Sequence, residues 1–447
     1  MNSLTKVYYW SFVVALGGFL FGLDTAVISG AEKAIQIYWK LSSVAHGFTI
    51  ASGLIGTLIG AIFAGAPAQK YGRKKVLFVI SVLYLVCALG CALTTDWLIF
   101  LVARILGGVA VGASSVVGPM YIAEISPARV RGRLVGSFQL NVVFGIMMAY
   151  ISNYLFIDAG EEAWRWMLGV QAFPSFIFFG LLFTIPESPR WYLLKGDEVS
   201  ARKVLSRSGE TDISKLVADF SSSMTDSQSV SLFNTNYRKP VLFVVLLATF
   251  NQLTGINALL YFAPRIFEMA GIGQEDAFLQ SVSVGLTLFI FTFSGVSVID
   301  RFGRRTLLLV GSLGMTCFLA LSGWALTGAS GGYFPMICLM GFIVFFSFSQ
   351  GAVIWVFISE IFPNQVRSQG QSLGSTTHWL MAAVISFLFP VIADEVPNGI
   401  QFSFYFFSFM MVLHFLFVWK MLPETKGKSL EEIQKAMEGN KLHEITI

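Results

Sequence analysis

The chain has 447 residues, of which 55% are hydrophobic and 13% charged. Soluble domains carry about a quarter charged residues, so a water-exposed globular protein of this size is excluded. The formal net charge of +4 comes from basic residues at the ends of apolar stretches and calls for no nucleic-acid partner. The 43 Phe and 42 Gly suit membrane helices, in which glycine is more frequent than in soluble ones.

A helix crossing the hydrocarbon core needs roughly 20 apolar residues. That length predicts about twelve spans, beginning near Val7, Gly47, Val76, Leu98, Leu134, Trp166, Val241, Ala277, Thr306, Tyr333, Gln369 and Ile400. Val7 to Gly30 is long enough to span and lacks a small-residue cleavage site, which makes it a retained span rather than a signal peptide. Cys87, Cys91, Cys317 and Cys338 fall in apolar stretches and read as buried small side chains. No disulfide framework, metal site or cofactor is expected from their spacing.

Basic clusters alternate with the spans. Lys70 to Lys75, Arg129 to Arg133, Arg301 to Arg305, the stretch from Arg190 to Lys239 and the C-terminal tail share one side, while loops such as Ile157 to Ala163 are acidic or neutral. Positive-inside bias then puts both termini in the cytoplasm. The segment between Glu187 and Lys239 is rich in serine and charge and is expected to form short surface helices.

Three motifs occur twice in the same order. Glu124-Ile-Ser-Pro127 with Val130-Arg131 matches Glu360-Ile-Phe-Pro363 with Val366-Arg367, Tyr71-Gly72-Arg73-Lys74 matches Phe302-Gly303-Arg304-Arg305, and Pro186-Glu187-Ser188 matches Pro423-Glu424-Thr425. The copies lie about 235 residues apart, which indicates duplication of a six-span unit with a site between the halves. The expected divisions are a first half at 1–188, a cytoplasmic linker at 189–238, a second half at 239–428 and a tail at 429–447.

The chain resembles the sugar porters of the major facilitator superfamily, along essentially its whole length. The likeness is carried by GGFLFGLDTAVISG (Gly17 to Gly30), RILGG (Arg104 to Gly108), PESPRW (Pro186 to Trp191), QLTGIN (Gln252 to Asn257), DRFGRR (Asp300 to Arg305) and PETKG (Pro423 to Gly427). It is most similar to the bacterial proton-coupled xylose and hexose symporters. The resemblance implies an all-α membrane protein, with twelve transmembrane helices in two pseudo-symmetric six-helix halves. It implies a secondary active transporter, not an enzyme, that imports a monosaccharide by proton symport with alternating access. A facilitator, or a sugar sensor that does not transport, are the other readings. The expected partners are the sugar, protons and the lipid bilayer of a plasma membrane, with the monomer as the working unit.

Asp24 lies inside the first span, where a carboxylate costs at least ~2.5 kcal/mol on insertion scales and is a functional candidate by default. At about 1.5 Å per residue, Asp24 in an outward-running first span and Arg104 in an inward-running fourth reach similar depths. The two charges can therefore meet, either as a static ion pair or as a proton site. In the resembling symporters the matching acid binds the proton and the arginine competes for it, while facilitators have a neutral residue there.

A sugar site needs amides, which both donate and accept, and aromatic faces for C–H surfaces. Gln139, Asn251, Gln252, Asn257, Gln350 and His378 are the polar candidates within spans, and Trp355 and Trp379 sit away from the interfacial belt. Interhelical hydrogen bonding is the bland alternative for any one amide. The resemblance places Phe21, Gln139, Gln252, Asn257, Tyr261, Gly351, Trp355 and Trp379 along the sugar site. Four positions depart from the family: Asn251 replaces a glutamine, Leu288 an asparagine, Gln350 a tryptophan, and His378 a glutamine or asparagine. His378-Trp379 resembles the pair in the animal fructose carrier, which favours a hexose such as fructose or glucose over a pentose such as xylose.

Arg73, Glu124 and Arg131 lie at the cytoplasmic ends of the first half, and Arg304, Glu360 and Arg367 at the matching ends of the second. By resemblance they form a cytoplasmic gate of salt bridges. The plainer reading, positive-inside topology, accounts for the arginines and not for the glutamates. Gly255 and Pro264 are expected to interrupt the seventh span. His46 and His443 fall near loops and His414 stands alone in the last span, so no nucleophile–base pair is visible.

Overall fold

The computed structural model describes residues 3–210, 212–214, 216–217, 232, 234, 237–326, 333–362 and 366–426. Among them every regular element is helical. Twelve helices are long and apolar enough to cross a membrane: Ser3–Tyr38, Ser43–Phe63, Arg73–Leu93, Trp97–Ile125, Arg129–Leu155, Ala163–Thr184, Arg238–Met269, Gln274–Ile299, Arg304–Trp324, Phe334–Glu360, Arg367–Glu395 and Gly399–Met421. Most start a few residues ahead of the apolar run. The backbone gains by continuing its internal hydrogen bonding into the polar interface, so a helix outlasts its hydrocarbon-matched stretch. Many large apolar side chains on these helices are exposed, among them Phe12, Phe63, Leu93, Phe173 and Phe293. That surface suits lipid.

The segment after the sixth span forms two short helices. Pro189–Leu194 is capped by Ser188, whose hydroxyl accepts from Trp191 N, and Glu198–Ser208 by Asp197, which accepts from Ser200 N. Both caps use the side-chain oxygens that satisfy orphan N–H groups at a helix start. Most of the linker beyond 217 and the whole tail at 429–447 lie outside the described residues.

By their contacts, the residues divide into two compact units, one of Met1–Ile28, Ser52–Ser152 and Asp158–Gln228, the other of Ser29–Ala51, Asn153–Ile157 and Ser229–Ile447. In the first unit, glycines let the second and fourth spans cross closely. A Cβ on Gly108 would lie 1.9 Å from the Gly53 carbonyl oxygen, and one on Gly56 would lie 2.1 Å from that of Ile105. This is the small-residue packing used where no hydrophobic force drives helices together. It brings Arg104 against the second span, where a Cβ on Gly53 would sit 2.9 Å from the Arg104 Nη2.

In the second unit two spans are broken. The seventh is Arg238–Gln252 followed by Ile256–Met269, joined at Gly255, whose φ of +80 is left-handed. A Cβ there would also lie 2.3 Å from the Phe407 ring, so only glycine fits. A second irregularity at Phe262 (φ −122, ψ 19) precedes Pro264, consistent with the clash a proline imposes on the preceding turn. The tenth span breaks at Ser349, between Phe334–Phe348 and Gln350–Glu360. Gly255 was legible in the sequence; Ser349 carries no breaker signal.

Candidate functional site

Asp24 is buried in the first unit with three donors on one oxygen. Arg104 Nη1 and Gln171 Nε2 each lie 3.2 Å from Asp24 Oδ1, and Cys87 Sγ lies 3.6 Å away. Asp24 and Arg104 are each 3% exposed, so the pair is dry and its charges are held by each other and by the amide. A Cβ on Gly107 would come within 2.3 Å of Cys87 Sγ, so that glycine makes room for the cluster. The depth count on the first and fourth spans found Asp24 and Arg104. It missed Gln171 and Cys87, since an amide and a thiol in apolar runs signal nothing until the fold converges them.

The second-half candidates form one hydrogen-bonded row inside the second unit. Asn257 Nδ2 donates to Gln252 Oε1 at 2.7 Å, Gln252 Nε2 to Asn251 Oδ1 at 2.9 Å, and Asn251 Nδ2 to Gln350 Oε1 at 3.1 Å. Gln252 Nε2 also lies 3.2 and 3.3 Å from the two ring nitrogens of His378. The His378 ring packs between Trp355 and Trp379, at centroid distances of 4.9 and 4.8 Å. Tyr261 and Leu288 are buried in this unit, and Gly351 is half-buried. Phe21 and Gln139, both half-buried, belong to the first unit.

His414 does not stand alone. It is fully buried, 2.6 Å from Ser312 Oγ through Nδ1 and 3.1 Å from Gln350 Nε2 through its own Nε2. The isolation expected from sequence was an effect of looking along one helix, since both partners come from other spans. His46 likewise belongs to a helix, where its Nε2 meets buried Glu32 at 2.8 Å. Arg265 reaches Glu32, Gln36 and Asp394, and Lys33 pairs with Glu268. This charged cluster within the second unit gave no sign in the sequence. Cys317 is exposed rather than buried, its neighbour pattern placing it on the outer face of its helix. Among the described residues no group of three or more His, Cys, Asp or Glu is placed to hold a metal.

The duplicated motifs repeat most of their contacts. Arg73 forks onto Glu124 at 2.9 and 2.8 Å, and Arg304 onto Glu360 at 3.0 and 2.7 Å. Ser188 donates to Glu124 and Thr425 to Glu360. Glu187 accepts from the backbone N–H groups of Arg73, Lys74 and Ser188, as Glu424 does from those of Arg304, Arg305 and Lys426. Burial pushes the Glu187 carboxyl above the ordinary range, against the opposing pull of those N–H donors. Arg131 and Arg367 donate to the backbone carbonyls of Ser126 and Phe362. Both bidentate bridges lie inside their own unit.

A buried carboxylate–guanidinium pair and a row of hydrogen-bonded amides thus lie within the twelve spans. The family model for "Sugar (and other) transporter" matches residues 10–437. The arabinose-proton symporter of Bacillus subtilis is 36% identical, over 97% of this chain and 96% of its own length. The D-xylose-proton symporter of Escherichia coli is 33% identical, over 97% and 96%. A solved structure of the Escherichia coli xylose transporter XylE, partially occluded and inward open, superposes with a TM-score of 0.85 at 32% identity, over 95% of this chain and all of the other. The chain belongs to the sugar transporter family of the major facilitator superfamily. It is a multi-pass membrane transporter and not an enzyme.

Proposed function

We propose that this chain imports a monosaccharide across a plasma membrane by proton symport, with both termini cytoplasmic and the monomer as the working unit. Asp24 carries the proposal: a carboxylate buried mid-span, with a competing guanidinium and an amide on the same oxygen, has the parts to take up and release a proton. A charge moved through 100 mV is worth ~2.3 kcal/mol, enough for roughly fifty-fold accumulation of sugar at one proton per sugar. Asn251, Gln252, Asn257, Gln350 and His378 supply the hydroxyl contacts in the second unit, with Tyr261, Gly351, Trp355 and Trp379 around them. Phe21 and Gln139 supply the first-half contacts.

The halves at 1–188 and 239–428 act as the two alternating bodies, and the Arg73–Glu124 and Arg304–Glu360 bridges brace their cytoplasmic ends. Related symporters are named for arabinose and D-xylose and for galactose. A hexose, fructose included, suits the added polarity of Gln350 and His378 better than a pentose does.

Uptake of labelled arabinose, xylose, galactose, glucose and fructose into cells, with and without a protonophore, tests this. One sugar should accumulate, and the protonophore should abolish accumulation. Entry that equilibrates without concentrating would make the chain a facilitator.

A further inference from the structure

The arginine–carboxylate pairs inside this molecule are not built alike. Arg73 and Arg304 grip both oxygens of Glu124 and Glu360, with all four contacts between 2.7 and 3.0 Å. Such forks are the preferred geometry of a guanidinium on a carboxylate. Arg104 instead makes a single hydrogen bond to Asp24, from Nη1 to Oδ1 at 3.2 Å. Gln171 Nε2 and Cys87 Sγ bring two further donors to that same oxygen, at 3.2 and 3.6 Å. Among the described residues no donor meets Oδ2. Gln171 is 1% exposed and spends its side chain on Asp24 alone, since its Oε1 meets no partner. A buried amide with half its capacity unused is costly, so packing is a poor reason to have one there.

Two oxygens with such unequal surroundings do different work. A proton has little room on Oδ1, because each of three donors already points a hydrogen at its lone pairs. Oδ2 keeps its lone pairs. A proton there leaves Oδ1 as the carbonyl oxygen of a neutral acid, still accepting from Gln171 and Arg104. Arg104 then opposes the proton through its charge and not by covering the atom that takes it. A fork like that of Arg73 would cover both oxygens.

We infer that Asp24 takes and gives its proton at Oδ2, and that Gln171 is the positioning residue that keeps this oxygen uncovered. With Cys87 it anchors the carboxyl through Oδ1, fixes its turn and denies Arg104 the fork. Cys91 and Tyr84, both buried on the third span, are the other titratable groups around this carboxyl. The inference rests on the proton role of Asp24 proposed above.

The first test follows net uptake against external pH, in cells, with the sugar that the wild-type chain accumulates. Gln171→Leu frees the carboxyl to turn and lets Arg104 cover Oδ2. Its uptake profile should move to acid by about one pH unit, the scale of one hydrogen bond to a charged group. Uptake should recover at the acid end, whereas a packing defect would lower it equally at every pH. Gln171→Met, unbranched and of similar volume, covers the case in which Gln171→Leu does not fold. Infrared difference spectra of the purified full-length protein, between acid and alkaline pH, read the oxygen directly in the wild type. The band of the protonated carboxyl, assigned by its loss in Asp24→Asn, should lie at the low frequency of a hydrogen-bonded carbonyl. It should rise in Gln171→Leu. An unchanged pH profile in folded Gln171→Leu or Gln171→Met, or a free-carbonyl frequency in the wild type, overturns the inference. Spectra in which Asp24→Asn loses no band overturn instead the proton role of Asp24.

Discussion

At Asp24 three donors converge on a single oxygen, which sets what each substitution does. Asp24→Asn removes the charge and the proton site but keeps an amide that can meet Arg104 and Gln171, so the fold should survive. Concentrative uptake should vanish while exchange of sugar across the membrane continues; a variant that still accumulates sugar would make Asp24 a structural residue. Removing the other partner is destabilising too. Arg104→Met leaves a buried carboxylate with no countercharge, for which the expected loss is about 3 to 5 kcal/mol. It should appear as a lower melting temperature, and adding Asp24→Asn should restore most of it. The residues that make this pair identifiable are also the ones most legible in the sequence. A charge within an apolar run is conspicuous, and counting rise along two helices brings the two to one depth. Gln171 and Cys87 are ordinary polar residues in such runs, and only the crossing of helices selects them. His414 was misread for the same reason, since its partners Ser312 and Gln350 lie 102 and 64 residues away in the chain.

Elements hold these residues through close approach more than through side-chain bulk. The second and fourth spans touch backbone to backbone at Gly53, Gly56 and Gly108, and that crossing fixes where Arg104 can reach. Gly108→Val should push the spans apart, since even its Cβ would fall 1.9 Å from the Gly53 carbonyl oxygen. We expect at least a tenfold loss of uptake, from a displacement of an ångström or so at the catalytic-like geometry of the pair, with a lowered melting temperature. Gly65→Val is the control, because nothing lies within 4 Å of a Cβ there; equal losses in the two variants would refute the crossing as the cause. The span count and the Gly255 break followed from hydropathy and from a residue that tolerates positive φ. The break at Ser349 did not, because no side chain there forbids helix. A Cβ on Gly311 would lie 2.0 Å from Ser349 Oγ, so the tertiary neighbour and not the local sequence accommodates it.

Across the whole molecule the duplication is kept at one place and abandoned at another. The arginine–glutamate forks, their hydroxyl donors and the backbone-capping glutamates recur in both units with nearly the same distances. Two-fold repetition at helix ends follows from duplication of a six-span unit. The interiors differ. A buried carboxylate–guanidinium pair stands in the first unit, and a row of neutral amides and imidazoles in the second. In the proposed function the proton uses the first and the sugar hydroxyls the second, so coupling and selectivity should separate under mutation. Asp24→Asn should change the number of protons entering per sugar and leave the order of preference among sugars intact. Gln252→Ala, which opens the middle of the row and frees His378, should raise KM by about tenfold or more and reorder the preferences. Its protons per sugar, read as alkalinisation of a lightly buffered cell suspension on adding sugar, should match the wild type. Reordered preferences in Asp24→Asn, or altered stoichiometry in Gln252→Ala, would mean that the two centres are one functional unit. The asymmetry of their chemistry would then reflect geometry alone.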